Sequence, residues 1–153
     1  MKVKAFPWVP LWAVVFSLLA GGSLTRAYAG EEMKIRALLV WGTDEEKPPA
    51  GKDYQLLDPE IRKRLRALKW KNYFEVKRVD FTASTTAQGN VPVSDKCSLE
   101  VRALANSQVE VKLVGKGKVV TTVKGALPKN EILVPGGDAP NDTAWLVILK
   151  RLD

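Results

Sequence analysis

The 153-residue chain carries 24 Lys and Arg against 17 Asp and Glu, with one Cys and no His. Without His there is no His-based triad, His metal ligand or His pH switch; a single Cys excludes an internal disulfide, a thiolate zinc site and an iron–sulfur cluster. The hydrophobic fraction of 46% and charged fraction of 27% are those of an ordinary globular protein of one-domain size, not of a disordered chain.

Residues 1–29 read as a secretory signal peptide. Lys2 and Lys4 form a positive start, and Trp8 to Ala20 is an apolar run broken only by Pro10 and Ser17. Ala27-Tyr28-Ala29 then places small residues where a signal peptidase reads them. The run is short for a span of about 20 residues, and Pro10 sits badly in a helix, so cleavage is expected and not a retained anchor. The rest, residues 30–153, is expected to form one β-rich domain, exported to a periplasm or secreted, with no transmembrane segment after cleavage. Loss of Lys2, Lys4 and Arg26 leaves 21 basic residues against 17 acidic, a balance of +4. Export makes nucleic acid an unexpected partner despite the basic composition.

Met33 to Trp41 predicts a strand ended by Gly42, and Thr43 to Lys52, with three consecutive acids and Pro48-Pro49, predicts a loop. Asp58 as cap, Pro59 at the first position and Glu60 in the first turn predict a helix from Pro59 to Lys69. Its Ile61, Leu65 and Leu68 fall within about 60° at 100° per residue, one apolar stripe. Arg62, Lys63, Arg66 and Lys69 take the opposite face, and the chain is expected to turn after Lys69 so that Trp70 can pack.

From Tyr73 the period becomes two. Phe74 and Val76 share one phase while Val79 and Phe81 share the other, a slip that predicts a bulge near Lys77-Arg78 or two short strands. Cys97, Leu99, Val101 and Ala103 alternate with polar residues, as do Val109, Val111 and Leu113 after a turn at Ala105 to Ser107. Gly115-Lys116-Gly117 predicts a tight turn into a strand from Val119 to Lys124. Ile132 to Val134 predicts a short strand closed by Pro135-Gly136-Gly137. Ala144 to Leu149 is apolar on both faces, the pattern of a central strand. About seven short strands with one helix inserted after the first predict a mainly β fold, a small antiparallel sandwich or barrel.

No nucleophile elbow, phosphate loop or dinucleotide fingerprint is present, and no cofactor is expected. Cys97 lacks a His base and alternates with apolar residues, so it is expected on the core face. Asp138, Asn141 and Asp142 offer oxygens of the kind calcium uses, but without EF-hand spacing, and such residues also serve turns; no metal site is assigned. Asn141-Asp142-Thr143 also fits a glycosylation acceptor.

The most distinctive stretch is Arg62 to Arg78, with eight basic residues, Glu75 as the one acid, and Trp70, Tyr73 and Phe74 interleaved. Outside the cytosol such chemistry suits a protein face, an anionic envelope polymer or a lipid surface. The simpler explanation is a solvated helix face followed by core aromatics. The candidate partner face is Arg62, Lys63, Arg66, Lys69 and Trp70. The expected function is a non-catalytic exported binding or accessory module. Its alternatives are a carboxylate-dependent enzyme on cell-wall or extracellular carbohydrate, and a structural protein assembling through sheet edges.

Overall fold

The computed structural model describes residues 30–138 and 144–153. Residues 1–29, expected from the sequence to be a signal peptide, lie outside the described residues, as do Asn141, Asp142 and Thr143.

Two antiparallel sheets pack face to face, and one short helix covers the outer face of the first sheet. The chain runs β1 (Glu32–Thr43), β2 (Gln55–Leu56), α1 (Pro59–Arg64) and β3 (Asn72–Ser84), then β4 (Gly89–Ser94), β5 (Cys97–Leu104), β6 (Gln108–Gly115) and β7 (Lys118–Ala126). It ends with β8 (Ile132–Leu133), β9 (Gly136–Asp138) and β10 (Ala144–Arg151). The described residues thus hold more than the seven or so strands expected, the additions being two- and three-residue pieces. The first sheet has the order β2-β3-β1-β10-β8, with β9 also on β10. The second is a meander, β4-β5-β6-β7.

Alternation assigns the two faces of the first sheet. Met33, Ile35, Ala37 and Leu39 of β1 join Val147 and Leu149 of β10 in the core between the sheets. There they meet Leu99, Val101 and Ala103 of β5 and Val109, Val111 and Leu113 of β6. The intervening Leu38, Val40, Leu146 and Ile148 face outward into a second core, closed by Leu57, Ile61, Leu65 and Tyr73. Burial on both faces is why Ala144 to Leu149 reads as continuously apolar: β10 lies between β1 and the short β8 and β9.

The phase slip in the third long strand is a bulge. Val40 pairs with Glu75 and Leu39 with Lys77, so Val76 is the extra residue. That insertion lets Val76, Val79, Phe81 and Ala83 all reach the inter-sheet core while Tyr73 joins the outer one. β3 is therefore one strand and not two. The turn Lys116-Gly117 has φ of 49° and 75° at its two central residues, the left-handed pair that a two-residue hairpin requires.

Two expectations need correction. The helix stops at Arg64, not Lys69: Leu65 is its C-cap, and Leu65 N–H and Leu68 N–H each donate three residues back, to the carbonyls of Arg62 and Leu65. Leu68 is 40% exposed and outside both cores. The cause is chain closure, because Leu57 N–H donates to the Tyr73 carbonyl at 2.9 Å. A helix reaching Lys69 would extend about 15 Å, leaving four nearly extended residues to return the same distance. Secondly, Gly136 and Gly137 do not only close β8; they pair with Leu146 and Trp145 as β9.

Candidate functional site

Asp58 starts the basic segment by accepting hydrogen bonds at Oδ1 from the N–H groups of Glu60 and Ile61, at 2.9 and 3.4 Å. The helix is too short to be stable alone. Ile61 and Leu65 anchor it by burial in the outer core. With those two residues turned inward, Arg62, Lys63 and Arg66 line a cleft of about 370 Å³ with Pro59, Trp70, Lys71 and Tyr73. No carboxylate is among those lining residues.

The far wall is fixed by the acidic loop. Asp44 Oδ1 accepts from Lys71 N–H at 3.2 Å, and the Glu45 carbonyl accepts from the Asn72 side-chain amide at 2.9 Å. Asp44 and Glu45 thus hold the approach to β3. Trp70 is half-buried against the outer core and lies over Gly42, where an added Cβ would come within 2.7 Å of the indole Cδ1. Its packing is as expected after the turn.

Of the candidate face, the structure brings Arg62, Lys63, Arg66 and Trp70 together around the cleft. Lys69 does not line it; its ammonium sits 4.5 Å from the centre of the Trp70 ring, a cation–π contact. The rest of the basic stretch disperses. Arg64 pairs with Glu131 at 2.6 Å, and Arg78 pairs with Glu75 through two hydrogen bonds of 2.9 and 2.8 Å. Tyr73 and Phe74 are buried, so they are not stacking surfaces. Lys71 and Tyr73 are the lining residues that the helical-face reasoning missed. The dense Lys-Trp-Lys-Asn-Tyr run was visible, but not which of its side chains return to the helix.

Two buried polar atoms of lining residues have no hydrogen-bond partner: Arg62 Nε and the Tyr73 hydroxyl. Tyr73 is 97% buried as a residue, being 3% exposed. Burial and the negative charge of Asp44 raise its pKa, while the nearby Trp70 backbone opposes the rise without reaching hydrogen-bond geometry. The phenol therefore stays protonated at neutral pH, a donor and not a base. Leaving such a donor unpaired costs about 1–3 kcal/mol. The four cationic side chains that line the cleft, Arg62, Lys63, Arg66 and Lys71, are groups that can pair with an anion's oxygens.

Cys97 lies on the inter-sheet side of β5 as expected, half-buried and packed against that core. Burial raises its thiol pKa. Among the described residues, no group of three or more His, Cys, Asp or Glu could hold a metal ion, and no helix is long and apolar enough to cross a membrane. Comparison with protein families, with curated proteins and with solved structures finds no match to this chain.

Proposed function

We propose that this chain is an exported, non-catalytic binding module that engages an anionic partner of the cell envelope or extracellular space through the cleft beside α1. The observation that carries the reading is the cleft's composition. Arg62, Lys63, Arg66 and Lys71 surround it without a lining carboxylate. Its concavity favours discrete anionic groups on a polymer over a flat bilayer. Trp70 supplies an apolar wall whose orientation is set by Gly42 and Lys69.

The reading is tested by salt-gradient elution from heparin and by co-sedimentation with anionic vesicles. The triple variant Arg62→Gln, Lys63→Gln, Arg66→Gln should elute at clearly lower salt with an unchanged fold. Parental retention should itself fade as the screening length falls from about 10 Å at 0.1 M to about 3 Å at 1 M salt. Equal retention of parent and variant would reduce the face to a solvated surface.

A second reading, assembly through sheet edges, is favoured by β7. This edge strand exposes Val119 and Val120 at 57% and 59%, whereas the opposite edge strand, β4, carries Pro92. Concentration-dependent elution in size exclusion, abolished by Val120→Lys, would support it. The carbohydrate-enzyme alternative needs two facing carboxyl groups, and the cleft beside α1 offers none.

A further inference from the structure

A groove of about 530 Å³ opens between the two sheets, at a place distinct from the basic cleft. Its walls are Leu39 and Val147 from the first sheet and Leu113 from the second, with the bulged Val76 beside them. Its volume lies within the roughly 300–1,000 Å³ of small-molecule sites. Tyr54 and Trp145 flank the opening. Tyr54 packs edge-on against Trp41 at 6.4 Å, and Trp41 packs on Phe74 at 6.0 Å, so this wall is held in place by an aromatic stack. Trp145 remains 38% exposed, although it stands in a strand whose next four residues are buried.

The charged residues of the groove lining are both cationic, with Ser94 beside them. Lys96 and Lys116 come from two neighbouring turns tied together by a 2.8 Å hydrogen bond from Lys116 N–H to the Lys96 carbonyl. Among the described residues neither ammonium makes an ion pair, in contrast to Lys112 with Glu100 and Lys124 with Glu110. Asp95 lines an adjoining cleft that shares Ser94, Lys96, Cys97 and Lys116 with the groove; it does not line the groove itself and makes no ion pair with either lysine among the described residues. An apolar interior with two unpaired cations at its mouth is complementary to a molecule that is apolar along its length and anionic at one end.

We propose that this groove binds a free single-chain carboxylate amphiphile, with the alkyl tail between the sheets and the carboxylate at Lys96 and Lys116. The site does not depend on the basic cleft, and the two can fail separately. Cys97 lines the groove and is the protein's one thiol, so it reports occupancy directly.

The experiment follows alkylation of Cys97 by neutral iodoacetamide in the folded protein, with dodecanoate added below its micelle concentration. Dodecanoate should slow the reaction saturably. Decanoate should need roughly tenfold more ligand, since each buried CH₂ contributes about 0.8 kcal/mol of transfer free energy. Dodecyltrimethylammonium, with the same tail and the opposite charge, should bind at least tenfold more weakly than dodecanoate. In Lys96→Gln/Lys116→Gln that preference should vanish while tail-length dependence persists. Anionic vesicles should leave the rate unchanged. The proposal is overturned if dodecanoate gives no protection, if the cationic amphiphile protects as well, or if vesicles protect and free dodecanoate does not.

Discussion

Truncating Leu65 and truncating Leu68 should have very different costs, although helical periodicity places them on one stripe. Leu65 is 2% exposed in the outer core, and its removal to Ala deletes three carbons. At about 0.8 kcal/mol per methylene the transfer loss is about 2.4 kcal/mol. Incomplete collapse of the cavity raises this further, and Leu→Ala changes span about 2–5 kcal/mol. A one-and-a-half-turn helix at the surface can settle partly into the space, so the expected cost is about 2–4 kcal/mol. Leu68 is 40% exposed and outside both cores, so Leu68→Ala should cost no more than about 1 kcal/mol. With an m-value of about 1.5 kcal/mol/M in urea, Leu65→Ala should lower the midpoint by roughly 1.3–2.7 M and Leu68→Ala by well under 1 M. Equal shifts for the two variants would mean that the helix continues to Lys69, and the geometry of the cleft would have to be abandoned.

Gly42→Ala should destabilise by about 1–3 kcal/mol and change tryptophan emission, because its Cβ would lie 2.7 and 3.0 Å from Cδ1 and Cγ of Trp70; unchanged emission would contradict that packing. Cys97 should react slowly with thiol reagents in the folded protein and quickly in urea, since burial keeps the thiol protonated; rapid native labelling would place it outside the core face. The Arg36 guanidinium makes two 2.7 Å hydrogen bonds to Asp80 and lowers its pKa below the ordinary carboxylate value. A lowered folded-state pKa contributes stability above the unfolded pKa of about 3.9 and loses it as pH falls through the folded value. Asp80 is about half exposed, so Asp80→Asn should cost only about 0.2–1 kcal/mol at pH 7. That difference should shrink below about pH 4, and a difference that grows in acid would reverse the assignment.

Strands were legible wherever one or both faces are buried, because alternation at Cys97 to Ala103 and continuity at Ala144 to Leu149 report burial directly. The bulge was legible too, as a change of phase near Lys77-Arg78, and its extra residue is the adjacent Val76. The helix C-terminus was not legible. Leu65 to Lys69 are good helix formers, and what stops them is the distant hydrogen bond between Leu57 and Tyr73. The candidate site divides on the same line. Arg62, Lys63 and Arg66 follow from local spacing, whereas Lys71 and Tyr73 enter through the return of the chain to β3, and Lys69 leaves for the Trp70 ring. The inter-sheet groove was invisible because its walls come from β1, β3, β6 and β10, far apart in sequence.

The central claim is that one cleft, and not diffuse positive charge, receives the anion. The most direct measurement is an amide NMR titration of the folded protein with a short sulfated oligosaccharide at low salt. Saturable shifts should concentrate in residues 60–73, with Arg62, Lys63, Arg66 and Lys71 among the largest, and the Trp70 indole N–H should move with them. Shifts spread evenly over exposed lysines such as Lys118 and Lys124, with residues 60–73 no more affected than the rest, would contradict it.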